Sequence, residues 1–250
     1  MKRQLNNPMQ LMALTLLGVL ASACSTVSSP AVEEIVASNI AARGGRQQIQ
    51  SLQSIRESGT ATASGGRVAR IVREIKRPGL FRLEFSYQGT TSVFAHDGSG
   101  GWQIAPLQRQ FEPMAMPPEA DAAAGVDQRD IEGPLVDWKR KGHVITLVGR
   151  EPVDGKEAYK LRVELQGGAI RYDYVDVASH LVVRSDVPRL IKGHPTVLQN
   201  VFSDFRKVAG ITFPHVIETR VKDRPQVLRI VVETIEINPV LDDARFRMPH

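Results

Sequence analysis

The chain has 250 residues, of which 42% are hydrophobic, 24% charged and 6% aromatic. This composition is ordinary for a globular protein, and it excludes a disordered chain, a collagen-like repeat and a polytopic membrane protein. The single cysteine excludes an intrachain disulfide framework and a cysteine-based zinc site. A formal net charge of +5, without a basic run interleaved with aromatic residues, gives no reason to expect nucleic acid as a partner.

Residues 1–23 have the pattern of a targeting signal. Two cations near the start precede an uncharged apolar run from Leu11 to Leu20, which is too short for a bilayer span of about 20 residues. Three small residues then lead to Cys24. The arrangement resembles a bacterial lipoprotein signal, although Ala21 stands where such signals usually have Leu. An ordinary secretory cleavage site is the alternative.

Redox chemistry favours lipidation of Cys24. A secreted chain meets an oxidising compartment, where a lone exposed thiol pairs with other thiols, and a lipid on the sulfur removes that hazard. We therefore predict a lipid anchor at Cys24 and a short tether over residues 24–30; soluble secretion with a free Cys24 is the alternative. Ser25, rather than Asp, follows the cysteine. This resembles Gram-negative lipoproteins of the outer membrane, and it implies a location on that membrane, facing the periplasm.

The first helical pattern runs from Ala31 to Ile55. Apolar residues recur on one face, and Gly44-Gly45 interrupts the pattern with residues that suit a left-handed helix end. No linker composition appears after Ile55. Residues 31–250 are therefore predicted to form one domain.

A two-residue period begins after the helical pattern and predicts strands. The alternation is clearest from Leu80 to Tyr87, and Asp97-Gly98 gives a strong turn signal between two later strands. The segment from Gln108 to Asp127 has no period and is rich in Pro, Met and Ala. It is predicted to be a long loop, a kind of segment that is often functional.

A second helical segment is predicted over Gln128–Lys141, because Ile131 and Leu135 recur at helical spacing. It ends in Lys139-Arg140-Lys141. We interpret this cluster as a solvated helix end, where cations suit the helix dipole. Attraction to anionic lipid head groups is the alternative.

Strand patterns resume after Gly142 and are joined by short connectors, which imply antiparallel neighbours. Helices occur only before the first strand and midway, so the chain is not built from βαβ units. A wide antiparallel sheet must curl or close to avoid long bare edges. The predicted fold is mainly β: one curved antiparallel sheet, an unclosed β-barrel of about 10–11 strands, covered by two helical segments.

Three parts of the chain together resemble the LolA/LolB-like family, the periplasmic carriers and receptors that sort outer-membrane lipoproteins. The resemblance is to this loose group and not to the two well-studied carriers. It implies an unclosed antiparallel β-barrel with a helical lid over a hydrophobic cavity, and binding of lipid or lipoprotein acyl chains inside it. The matching stretches are Ala41–Gly45 with Ile49, Leu52 and Ser54-Ile55; Asp130–Asp137; and Phe205–Pro214 with Ile235–Pro239 and Phe246.

Apolar residues on the predicted strands and helix are candidates for the lining of such a cavity. The alternative for each is an ordinary core position, because most apolar side chains are simply buried. Met114 and Met116, in the predicted loop, are candidate gate or membrane-touching residues, because methionine adapts to varied apolar partners; a surface loop without a role is the alternative. The predicted lining is Phe81, Leu83, Phe85, Val93, Trp102, Ile104 and Trp138.

No motif in the sequence predicts an enzyme. The six histidines include no His-x-x-x-His or His-Glu-x-x-His pair, and neither Gly-x-Ser-x-Gly nor Ser-x-x-Lys occurs. We therefore predict no catalytic residue, no metal ligand and no cofactor. An unrecognised hydrolase is an alternative, with His96 and His194 as the residues to test.

The sequence as a whole predicts a periplasmic lipoprotein, anchored in the outer membrane by its N-terminal lipid. Its expected ligands are lipids or the acyl chains of lipoproteins, and lipoprotein sorting or transport is its expected role. The alternative from another class is an envelope protein-binding or sensor module with a filled core. The sequence does not identify a protein partner.

Overall fold

The computed structural model describes residues 31–117, 129–191 and 194–249. The predicted signal peptide (1–23), the lipidation site Cys24 and the tether (24–30) lie outside the described residues and stay predictions. Residues 118–128, which contain the rest of the predicted loop and the start of the predicted second helix, also lie outside.

One antiparallel sheet contains all the strands of the described chain. Neighbouring strands follow the order β6-β5-β4-β3-β2-β1-β13-β12-β11-β10-β9-β8-β7, so β6 and β7 are unpaired edges and the sheet is not closed. This confirms the predicted fold class, with thirteen strands instead of ten or eleven. The strands are β1 Ser54–Ala63, β2 Val68–Lys76, β3 Leu80–Tyr87, β4 Thr90–His96, β5 Gly101–Ala105, β6 Gln110–Ala115, β7 Val144–Val153, β8 Lys156–Glu164, β9 Ile170–Asp176, β10 Val182–Ile191, β11 His194–Val208, β12 Ile211–Val221 and β13 Val227–Ile237.

Strand β6 lies inside the segment that the sequence predicts to be a loop. It pairs with β5, with Met114 opposite Gln103 and Ala115 opposite Trp102. Pro113 interrupts its residue pattern and has no N–H to donate, which an edge strand tolerates because one side of it is unpaired. The loop prediction is therefore wrong for residues 110–115.

Two helices precede the sheet: α1 over Val32–Ala42 and α2 over Arg46–Gln50. Gly44 joins them with a φ of +118°, and a side chain there would put its Cβ 2.3 Å from the Gly210 carbonyl oxygen. Beside this contact, the Thr212 amide donates to the Arg43 carbonyl at 2.9 Å. The predicted Gly44-Gly45 break thus lets the helices dock on the β11–β12 turn.

Residues 129–142 form consecutive turns, although the sequence predicts a helix here. Gly133 and Asp137 both have positive φ values, +81° and +51°, which an α-helix does not accommodate. Ile131 and Leu135 are nevertheless buried in the same core as α1. This turn segment, defined as residues 129–142, covers the sheet together with the two helices.

The main core lies between this cover and one face of the sheet, which we call the inner face. It joins residues of α1 and α2 to alternate residues of β1–β3, β7–β9 and β12. The opposite side is the outer face. In the described parts of the chain, no helix is long and apolar enough to cross a membrane.

The turns between strands define two ends of the sheet. One end carries the β11–β12 turn, to which the helices dock, and we call it the helix rim. We call the opposite end the far rim. The helix rim consists of turns 77–79, 97–100, 154–155, 177–181 and 209–210; the described turns of the far rim are 64–67, 88–89, 106–109, 165–169 and 222–226.

Candidate functional site

Strand pairing decides which face each predicted lining residue occupies. Leu83 pairs with Phe94, whereas Val93 pairs with Glu84 and Ile104. Directly paired residues share a face and successive residues alternate. Phe81, Leu83 and Phe85 therefore lie on the inner face with Phe94, while Val93, Trp102 and Ile104 lie on the outer face.

The outer-face residues belong to a separate cluster that the end of the chain covers. Val93 and Trp102 are buried there, and Ile104 packs against them. The indole Nε1 of Trp102 donates to the Phe246 carbonyl at 2.6 Å, and the Phe246 side chain is fully buried. The structure therefore does not bring the seven predicted residues into one lining.

The remaining predicted residues lie at the borders of the inner face. Trp138, in the turn segment, is half-buried against the main core, with the Lys139 ammonium 5.0 Å from its ring centroid. Met114 is 47% exposed on edge strand β6 and pairs with Gln103 on the inner side. Met116 follows the strand, and its amide donates to the Gly101 carbonyl at 2.8 Å. The gate role of both methionines stays a prediction.

Burial changes halfway along the inner face. On β3, Phe81 next to the helix rim is buried, whereas Leu83, Phe85 and Tyr87 are only half-buried. The same gradient occurs on β12, where Ile211, Phe213 and His215 are buried and the inner-face residues beyond them are half-buried. Along these two strands the cover therefore ends midway, and their part of the inner face towards the far rim is partly open; on β7 and β8, by contrast, Ile145 and Val163 stay buried near that rim. We call the half-buried apolar residues that β3, β4, β12 and β13 contribute there the inner apolar strip: Leu83, Phe85, Tyr87, Phe94, Ile217, Val221, Leu228 and Ile230.

The sequence prediction included only Leu83 and Phe85 of this strip, and Phe94 is one of the residues that it missed. Its ring meets that of Phe85 edge-on, with the centroids 6.5 Å apart. A signal for it existed, because the two-residue turn at Gln88-Gly89 fixes the register of β3 and β4. With Tyr87 opposite Thr90, counting back places Phe94 beside Leu83.

The charged groups on the inner face include two ion pairs, Arg73 with Glu57 and Arg171 with Asp173. Arg73, which pairs with Leu83, makes two hydrogen bonds to the Glu57 carboxylate at 2.7 and 2.8 Å. Burial lowers the pKa of Arg73, but the attraction and hydrogen bonds of Glu57 outweigh burial, and the net pKa is raised. Arg73 therefore stays ionised at this buried position.

His215 adds one polar atom to the buried part of the inner face. Its Nδ1 lies 2.8 Å from the Val232 carbonyl oxygen, so Nδ1 carries the proton that is donated there. Its Nε2 is buried without a hydrogen-bond partner among the described residues. In the neutral ring this atom is an acceptor.

A buried charge network fastens the turn segment to the sheet. The Glu132 carboxylate accepts from Arg77 at 2.7 Å and lies 3.2 Å from the Lys141 ammonium. Burial raises the pKa of Glu132, but the hydrogen bonds and charges of Arg77 and Lys141 outweigh burial and hold the pKa below its ordinary value. Arg43 donates to the Glu132 carbonyl at 2.7 Å. Burial lowers the pKa of Arg43, and Asp130 and Glu132 offset part of that effect.

Two surface pockets occur near the rims, and none of the seven predicted residues lines them. One, of about 410 Å³, lies at the helix rim and includes Arg77 and His96; the other, of about 700 Å³, lies at the far rim and includes His194 and Lys222. The two histidines of the hydrolase alternative thus lie at opposite ends of the sheet. Within the described residues, no group of three or more His, Cys, Asp or Glu could hold a metal ion.

These features define a class of protein. Its members are built on an unclosed antiparallel sheet whose inner face is only partly covered by N-terminal helices and a turn segment. No protein-family model matches the sequence, and no curated protein matches it. Solved structures do match.

A LolA superfamily protein from Nitrosomonas europaea superposes on 88% of this chain and 98% of its own, with a TM-score of 0.60 and 11% identity. A DUF1329 family protein from Desulfovibrio piger covers 86% and 97%, with a TM-score of 0.58 and 16% identity. A domain assigned to outer membrane lipoprotein sorting from Vibrio parahaemolyticus covers 85% and 94%, with a TM-score of 0.53 and 11% identity. The chain therefore has the LolA-like fold, and the resemblance seen in the sequence is confirmed at the level of the fold.

Proposed function

We propose that this protein binds the acyl chains of a lipid or lipoprotein on the open half of its inner face. The observation that carries the proposal is the burial gradient along β3 and β12, which leaves the inner apolar strip half-exposed beyond the cover. Burial of apolar surface contributes about 25 cal/mol per Å², so an acyl chain laid along the strip gains affinity without any specific polar contact.

The similar structures support the same ligand class by analogy. One of them carries an assignment to outer membrane lipoprotein sorting, and a shared fold alone does not fix a function. The main support for the proposal is therefore the half-exposed strip, which is a property of this chain, and the analogy is additional support.

The cellular setting of the proposal is the periplasmic side of the outer membrane, with a lipid on Cys24. Mass spectrometry of the N-terminal peptide from native protein tests this part. We expect a mature chain that begins at an acylated Cys24. A free thiol at Cys24, or cleavage elsewhere, would remove the anchor from the proposal.

Ligand binding is tested with a dansyl-labelled fatty acid, whose fluorescence rises in an apolar site. The chain should start at residue 24 with Cys24→Ser, so that no attached lipid competes; both helices and every described strand lie after residue 31. We expect saturable binding that weakens about tenfold in Phe94→Asp, because a half-buried aromatic contact is lost and a charge is added.

The matched control is Val240→Asp. Val240 is 99% exposed after the last strand, so this variant should bind the probe like the parent. Absence of saturable binding in the parent, or equal affinities of the two variants, would contradict the proposal.

A further inference from the structure

Exposed apolar side chains gather at the far rim. Leu107 lies in the β5–β6 turn and is 60% exposed, Phe111 follows that turn at 69%, and Leu190 lies near the end of β10 at 70%. Val68 and Val144, each the first residue of a strand at this rim, are 53% and 54% exposed. Five of the nine large apolar side chains that are exposed in the described chain therefore lie at or next to this one rim.

The described turns of the far rim are also basic. They carry four cations, Arg67, Arg109, Lys222 and Arg224, against one acid, Asp223. All five are exposed. The turns of the helix rim carry one cation, Arg77, against two acids, Asp97 and Asp154. The two ends of the sheet therefore differ in charge, and the cations occur at the end that exposes apolar side chains.

A groove of about 700 Å³ lies between the β10–β11 and β12–β13 hairpins of this rim. Leu190 and Val197 line it together with Lys222 and Arg224. Apolar side chains beside exposed cations match the layering of a bilayer surface, where anionic head groups lie above acyl chains.

We propose that the far rim is a docking surface for an anionic phospholipid bilayer, with head-group phosphates in the Lys222–Arg224 groove and Leu107, Phe111 and Leu190 entering the interface. This goes beyond the proposed ligand binding, because it assigns a second surface with its own partner. The inner apolar strip reaches the same rim through Tyr87, Val221 and Leu228. An acyl chain could then pass between bilayer and strip without crossing water.

The test is vesicle co-sedimentation of the chain from residue 24 with Cys24→Ser, which has no lipid anchor. The vesicles are phosphatidylcholine alone or phosphatidylcholine with phosphatidylglycerol. We expect binding to the anionic vesicles that falls with added salt. Lys222→Glu with Arg224→Glu should lower it about tenfold or more, because each cation near the surface contributes to binding. Leu107→Glu with Leu190→Glu should lower it about tenfold as well.

Val148→Glu, at a side chain 54% exposed in mid-strand β7, is the control and should bind vesicles like the parent. Three results would overturn the proposal: no preference for phosphatidylglycerol, rim variants that bind like the control, or displacement by inorganic phosphate at constant ionic strength, which would reassign the groove to a soluble anion. The dansyl probe separates the two proposals. Rim variants should retain probe binding, whereas Phe94→Asp should weaken probe binding about tenfold and retain vesicle binding.

Discussion

The two faces of the sheet around β3–β5 carry similar apolar side chains but receive different cover. On the outer face, Leu241 and Phe246 of the C-terminal tail cover Leu80 and Trp102. All four side chains are buried. On the inner face, the cover stops midway, and Phe85 and Phe94 stay half-exposed. The comparison shows that the C-terminal tail of this chain buries apolar side chains on one face of the sheet. The open half of the inner face is therefore a local property of that face.

The charges that hold each cover also differ. On the outer face, the buried Glu74 carboxylate accepts from both Arg56 and Arg245 at 2.9 Å, which ties the tail to β2. Lys76 adds contacts to the Leu241 carbonyl and to Asp243. The inner cover depends on the contact of Gly44 with the β11–β12 turn and on the Glu132 network.

The largest expected effect comes from opening the outer face. Phe246→Ala should lower the free energy of unfolding by about 4 kcal/mol, because a fully buried aromatic ring leaves a cavity. Urea denaturation followed by far-UV circular dichroism measures this. Met248→Ala, two residues later and 38% exposed, should change stability by less than about 0.5 kcal/mol. Equal effects of the two variants would show that the tail does not seal the outer face.

Gly44→Ala tests the docking of the inner cover. The substitution should lower the free energy of unfolding by about 3 kcal/mol, because the residue has a positive φ and its new Cβ would clash with the Gly210 carbonyl. Gly45→Ala is the matched control, since its φ is also positive at +90° but no atom lies within 4 Å of the added Cβ. The control should cost about 1 kcal/mol. If the two variants lose the same free energy of unfolding, backbone strain alone explains why both positions are glycine, and the contact with Gly210 makes no contribution.

Acid titration tests the Glu132 network. The pKa of Glu132 is lowered in the folded protein, so its contribution to stability is present above the unfolded pKa and is lost as pH falls through the folded value. Glu132→Gln should therefore be about 2 kcal/mol less stable than the parent at pH 7, and the gap should narrow below about pH 4. Melting temperatures of the variant and the parent from pH 7 to pH 3 measure this difference in stability. A difference that stays constant with pH would show that the ionised carboxylate is not its cause.

The smallest stability effect is expected on the open half of the inner face. Phe94→Ala should cost only about 1 kcal/mol, because the ring is half-buried in the free protein. The same variant should weaken binding of the dansyl-labelled fatty acid about tenfold. A large loss of stability with unchanged probe binding would make Phe94 an ordinary core residue, and the contrast between the two faces would disappear.

Alternation in the sequence predicted most of the sheet. The bounds of β3 at Leu80–Tyr87 agree with the structure, because this strand has one apolar face. Strand β6 was missed, since an edge strand pairs on one side only and Pro113 hides its period. The helix predicted over Gln128–Lys141 was wrong for its described part, because contacts distant in sequence, such as Arg43 and Arg77 with Glu132, stabilise turns there.

The candidate site was predicted less well than the fold. Periodicity identifies the apolar face of one strand, but it does not say which face of the next strand joins it. That depends on register, which separated Val93 and Trp102 from Leu83 and brought Phe94 beside it. The end of the cover was also unpredictable, because it depends on how α1, α2 and the turn segment pack.

Among the described residues, β6 and β7 are the two unpaired edges of the sheet, and an unpaired edge is a template on which a second molecule can add a strand. Each edge is interrupted. Pro113 removes an N–H donor from β6, and Pro152 removes one from β7, where the register also shifts between Leu147 and Gly149. A neighbouring molecule therefore finds no long uninterrupted row of donors and acceptors. The chain can keep its sheet open without polymerising edge to edge.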